Sequence, residues 1–263
     1  VDLNKLAAVV AALCLLAAAA SAGVLLTMES QTPGQEGQAQ QKIYLGGDRI
    51  RVEAENSGDF DVVIFRQDLG VFWIVDPEEK SYTELTRDDL EQLSTRLQQM
   101  TEMLKAQLQE LPPEQREQIE QMMGSQGLKP VEPTFEKVAS GETVGDWTAD
   151  KYVGTLNGVK QVELWTADYR ELGLKAEDFQ VLEEMGKMFE AFSQDAAALF
   201  KVRTEAGEGH FSGLPVKTVN FSAGQPAGET VVQEVKKQDF KPALFEVPEG
   251  YKKETMSDKM QEE

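Results

Sequence analysis

The chain has 263 residues, with 46 acids against 26 bases, one histidine and one cysteine. A formal charge of −20 lacks the basic footprint of a nucleic-acid binder and disfavours docking on anionic lipid headgroups. An apolar content of 41% supports a packed core, and 27% charged residues is ordinary for a folded chain.

The first segment reads as an export signal. Lys5 precedes LAAVVAALCLLAAAASA, and Ala20-Ser21-Ala22 has the small-x-small form of a signal-peptidase site. The expected cleavage falls between Ala22 and Gly23, leaving no stable membrane span. A retained anchor is the alternative, because Leu6 to Leu26 nearly spans a bilayer. Cleavage removes Asp2 and Lys5 together, so the net charge is unchanged. It also removes Cys14, and with it disulfides, thiol catalysis and cysteine-based zinc sites. His210 by itself makes no histidine-rich metal site.

Residues 24–85 read as strands: GVLLTMES, QKIYL, DRIRVEAE, DVVIFRQ, GVFWIVD and SYTEL. Gly46-Gly47 and the cluster from Asp76 to Lys80 mark turns between them. The connections leave no room for crossover helices, so the sheet is expected to be antiparallel. The period then changes. Thr86 with Asp89 forms an N-cap pattern, and Leu90, Leu93, Leu97, Met100, Leu104, Leu108 and Leu111 recur at helical steps. Pro112-Pro113 interrupts this insertion, which runs over about 86–126, and 124–133 reads as a linker. Strands return over 134–165, with Asn157-Gly158 as a hairpin turn. A second helix is expected over about 175–203, carrying Leu182, Met185, Phe189, Phe192, Ala196 and Leu199 on one face. LPVKTVNFS, ETVVQEVKKQ and ALFEV read as closing strands, and 252–263 as a charged, mobile tail. Residues 23–251 therefore read as one α+β domain.

No phosphate-binding loop, Walker pattern or nucleophile elbow is present. Asp146, Asp150, Glu163 and Asp168 lie near strands, but such groupings arise by chance in so acidic a chain. The expectation is a non-enzyme without cofactor or metal. Six methionines fall on the helices: Met100, Met103, Met122, Met123, Met185 and Met188. Methionine is flexible and polarizable, and surfaces that accept varied apolar partners overuse it. With Trp73, Phe189 and Phe192 these residues are the candidate lining of a hydrophobic-ligand site. Gap-filling in the core is the other use of the same residues.

Gly70-Val71-Phe72-Trp73-Ile74-Val75-Asp76-Pro77, the following Glu78-Glu79-Lys80-Ser81-Tyr82-Thr83, and Phe245-Glu246-Val247-Pro248-Glu249-Gly250-Tyr251 resemble three stretches of the LolA/LolB-type lipoprotein-sorting carriers and receptors. The strands DWTADKYVGTL and VELWTAD resemble an uncharacterised exported branch of that superfamily. The resemblance implies a curved antiparallel sheet forming an unclosed barrel of about 10–11 strands, with helices on its concave face. It also implies a periplasm of the Gram-negative type. The carriers place a basic residue and a proline at the first hairpin, where this chain has Leu45-Gly46-Gly47-Asp48. No functional residue therefore carries over.

Two functions follow as expectations. The first is a monomeric periplasmic protein holding an acyl chain, a lipid or another hydrophobic ligand. The second is an envelope structural or interaction protein with a protein partner, its sheet filled by its own helices.

Overall fold

A computed structural model describes residues 21–34, 37–54, 62–110, 133–190 and 209–255. The strands are β1 (Ser21–Gln31), β2 (Ala39–Leu45), β3 (Arg49–Ala54), β4 (Val62–Arg66), β5 (Val71–Asp76) and β6 (Ser81–Thr86). Helix α1 (Arg87–Glu110) follows, then β7 (Thr134–Val144), β8 (Trp147–Leu156) and β9 (Val159–Ala167). Next come a 3-10 turn (Ala176–Phe179), helix α2 (Gln180–Glu190), β10 (Leu214–Ser222) and β11 (Gln225–Phe240). A second 3-10 turn (Pro242–Phe245) leads to β12 (Lys252–Glu254).

All twelve strands join one curved, unclosed sheet in the order β12-β6-β5-β4-β3-β2-β1-β11-β10-β9-β8-β7. That is more strands than the sequence reading counted. Neighbouring strands are antiparallel, with one exception: β12 pairs parallel to β6, Lys252 opposite Ser81 and Glu254 opposite Thr83. Lys252–Glu254, read from sequence as the start of a mobile tail, is thus the sheet's edge. The segment ALFEV is not a strand. Pro242 fixes φ and lacks an N–H, and the chain turns there in a 3-10 helix.

That turn begins a strap. The chain leaves β11 at Phe240, between β1 and β10 in the sheet, and reappears outside β6. On the way Phe245 becomes 1% exposed and packs with Val62, Ile64, Val71, Trp73, Val75 and Phe240. Arg51 Nη1 donates to the Leu244 carbonyl at 3.2 Å. Arg66, buried in its side chain, bonds Glu246 and also Asp68 at 2.6 and 2.7 Å. The hydrogen bond to Asp68 raises the Arg66 pKa although burial opposes it, and holds the Asp68 carboxyl below its usual range.

The other face bears the helices. Its cluster takes Val24, Leu26, Leu45, Ile50, Phe65, Phe72, Trp165, Val216 and Val232 from the sheet. Leu90 of α1 and Phe179, Val181, Met185 and Met188 of the second helical segment join them. The alternation is strict on β5: Phe72 enters the helix-bearing cluster, while Val71, Trp73 and Val75 enter the strap-side cluster.

Local rules hold at the element ends. Asp89 Oδ2 accepts the Thr86 N–H at 2.8 Å and its hydroxyl at 2.6 Å, and the Asp89 N–H donates back to Thr86 Oγ1 at 3.2 Å. This reciprocal cap starts α1. Asn157 and Gly158 have φ of 52° and 77°, as a two-residue hairpin demands, with Leu156 paired to Val159.

Candidate functional site

The helix-bearing face is the candidate site, since it gathers the predicted methionines of α2. The local sequence builds it directly. Asp178 Oδ2 accepts the Lys175 N–H at 2.7 Å, fixing the 3-10 turn that feeds α2. Val181, Met185 and Met188 then fall at steps of four and three, on one stripe. They are 1%, 8% and 4% exposed, and Phe179 before them is 2% exposed. Lys187 and Glu184 pair on the solvent side at 2.6 Å. Met28 of β1, which the sequence reading left on a strand without a role, packs against the same cluster.

The other predicted lining residues part company. Trp73 is buried on the opposite face, in the strap-side cluster. Its Nε1–H donates to Glu84 Oε2 at 2.9 Å, and the Arg66 guanidinium lies 5.9 Å from its ring. Strand alternation put it there: Phe72 and Trp73 are neighbours and must face opposite ways. Met103 is 63% exposed beside Thr95, Gln99 and Glu102 on the outer side of α1, off its leucine stripe. The side chains of Met100 and Phe189 lie outside the described residues, as do Met122, Met123 and Phe192 entirely. Ala22 and Gly23, the expected cleavage pair, lie within β1 opposite Asp239 and Gln238. A Cβ on Gly23 would stand 2.3 Å from the Leu45 carbonyl oxygen and 2.5 Å from the Phe240 ring, so packing requires glycine there.

Sequence reasoning missed two polar features. The first is a row across β8, β9 and β10, where Lys151, Trp165 and Lys217 stand side by side. The two ammonium groups lie 4.4 and 5.2 Å from the Trp165 ring, whose Nε1–H donates to Glu142 at 2.6 Å. Glu163 takes Lys151 at 3.1 Å and Lys160 at 2.9 Å. Burial pushes the Glu163 carboxyl up, but the hydrogen bonds from Lys160 and Lys151 outweigh it and leave the group below its usual range. Cross-strand register, invisible in one sequence, makes this row. The second feature is on β6, where the hydroxyls of Ser81 and Thr83 are buried without a hydrogen-bond partner. Alternation with Leu85 was the available signal.

Of the four acids singled out from sequence, three are paired with cations: Asp150 with Lys137 at 2.6 Å, Glu163 as above, and Asp168 with Arg170 at 2.7 Å. Among the described residues no three His, Cys, Asp or Glu side chains stand together as a metal cage. No described helix is long and apolar enough to cross a membrane.

No family profile matches the chain, and no curated protein matches it. Among solved structures the chain is similar to an uncharacterized conserved protein from Thermus thermophilus, at 11% identity and a TM-score of 0.46, over 90% of this chain and 92% of that one. It is also similar to a chain in the complex of Pseudomonas aeruginosa MucA/MucB, at 12% identity and a TM-score of 0.37. That likeness covers 89% of this chain and 57% of the other.

Proposed function

We propose that the protein is a non-enzymatic, exported binding protein. Its helix-bearing face is the concave side of an unclosed barrel, as in the lipoprotein-sorting carriers it resembles, and takes an acyl chain or similar apolar ligand between helix and sheet. The observation that carries this reading is the convergence of Met28, Met185 and Met188 from strand and helix into one apolar cluster. Thioether side chains re-pack around varied apolar shapes at small cost. Export rests on the Ala-rich segment ending in Ala20-Ser21-Ala22. The described members of the cluster are hydrophobic side chains, and binding is the role assigned to it.

The test is native mass measurement after gentle purification, paired with titration of a fluorescent acyl probe. Copurified acyl mass and saturable probe binding are expected. A specific observation favours a second reading, in which α2 fills the sheet it covers: Met185 and Met188 are 8% and 4% exposed. On that reading the protein is an envelope structural or interaction component, and the wild type binds no probe.

A further inference from the structure

The two faces of β6 treat their polar groups differently. On the strap side Glu84 accepts from Lys253 Nζ at 2.7 Å and from Trp73 Nε1 at 2.9 Å. On the helix-bearing side Ser81 and Thr83 are each 2% exposed, and neither hydroxyl has a partner. Their direction is fixed by register. Thr83 is opposite Ile74 and Leu85 is opposite Phe72, so Ser81, Thr83 and Leu85 share the face on which Phe72 and Leu85 meet the helix-bearing cluster. Helix α1 starts at the end of this strand and packs on it.

Two buried hydroxyls without partners cost free energy, and native folds retain few such groups without a use for them. Alanine and valine would fill the same space at no polar cost. Among the described residues these two hydroxyls are the buried side-chain polar atoms left without a hydrogen-bond partner, and β6 carries them on the face that α1 packs against. Each hydroxyl carries one O–H donor besides its acceptor lone pairs, and a ligand carbonyl would engage that donor. A free carboxylate fits poorly, because an ionised group needs a cation when buried. Lys252, opposite Ser81, is 79% exposed in its side chain and is held by Glu254 at 3.1 Å. A neutral acyl ester carbonyl needs no cation.

Resting on the apolar-ligand reading above, we propose that Ser81 and Thr83 form the polar end of that site and donate hydrogen bonds to the carbonyl of an acyl ester.

The experiment uses three probes sharing one fluorophore: pyrenedodecanoic acid methyl ester, the free acid at pH 7, and dodecylpyrene, which has no carbonyl. The full-length protein is compared with Ser81→Ala/Thr83→Val. The variant is expected to melt at or slightly above the wild-type temperature, because buried orphan hydroxyls are replaced by apolar groups of similar shape. It is expected to lose about tenfold in affinity for the methyl ester, two hydrogen bonds' worth, and nothing for dodecylpyrene. The wild type is expected to bind the ester more tightly than the acid. Ser81→Thr/Thr83→Ser keeps both hydroxyls and should keep ester affinity. Equal or no loss for ester and alkane overturns the assignment and leaves the apolar site standing. Tighter binding of the acid than of the ester overturns the ester. A sharply lowered melting temperature overturns it too, by showing that the hydroxyls serve the fold. A wild type silent to all three probes overturns both the assignment and the reading on which it rests.

Discussion

The ring of Phe245 occupies the space that a side chain on Gly46 would need. A Cβ at position 46 would lie 2.5 Å from Phe245 Cζ, closer than any real contact. The strap and the β2–β3 turn are thereby fitted to each other across 199 positions of sequence. Phe245→Ala is expected to cost about 3–5 kcal/mol, the usual range for a fully buried phenylalanine. Gly46→Ala should destabilise by overpacking, typically about 1–3 kcal/mol. In the double variant the added methyl meets a cavity instead of a ring, so the costs should be less than additive. Urea midpoints of the three variants measure this, and strict additivity would disprove the contact.

The α2 methionines give a second measurement. Met188→Ala is expected to cost about 2–5 kcal/mol, because the side chain is 4% exposed among packed neighbours. Met188→Asp places a carboxylate in the same space. Its pKa should rise well above the usual range, and its stability should improve as the medium is acidified. Melting curves at two pH values separate the variants. Wild-type probe binding alongside them distinguishes the adaptable wall from a sheet simply filled by α2.

Acid should weaken the edge of the sheet. Hydrogen bonds from Lys253 and then Trp73 hold the Glu84 carboxyl below its usual range. A depressed carboxylate contributes stability above its unfolded-state pKa and loses it as pH falls through the lower folded value. The pair's contribution should therefore fade below about pH 4. Lys253 is shifted up by the same hydrogen bond, so its share is lost only at alkaline pH, as the medium passes its raised pKa. Protonation also relieves general repulsion in a chain of net charge −20. Comparison with Glu84→Gln cancels that shared effect. The variant should be less stable at neutral pH, and the difference should shrink as pH drops through the folded Glu84 value. A difference independent of pH would refute the ion pair.

The cap of α1 is separable from its packing. Thr86→Ala removes one half of the reciprocal bond with Asp89 and should cost about 0.5–2 kcal/mol. Thr86→Ser keeps the hydroxyl and should retain most of the stability. Amide exchange in the first turn of α1 should accelerate in the alanine variant first, because Leu90 still anchors the helix at 3% exposure.

Local chemistry is what the sequence by itself determined. The Thr86–Asp89 cap, the Asn157-Gly158 hairpin, the strand runs of β4 to β6 and the helical stripe through Met185 are all set by residues within a few positions of one another. Even the break at Pro242 was legible, had the missing N–H been weighed against the apolar run that followed. Alternation also separates Trp73 from the Phe72 beside it, since neighbours on a strand cannot share a face. What only the tertiary structure decided depends on register and on long-range return. Lys151 and Lys217 flank Trp165 because three strands align at one level, and no sequence pattern fixes that level. The final residues become an edge strand because Phe245 and Glu246 anchor the strap on the far side of the sheet, which brings Lys252–Glu254 beside β6 in parallel. The hydroxyls of Ser81 and Thr83 are ordinary for a polar strand in sequence. Only burial without a hydrogen-bond partner turns them into groups that need one.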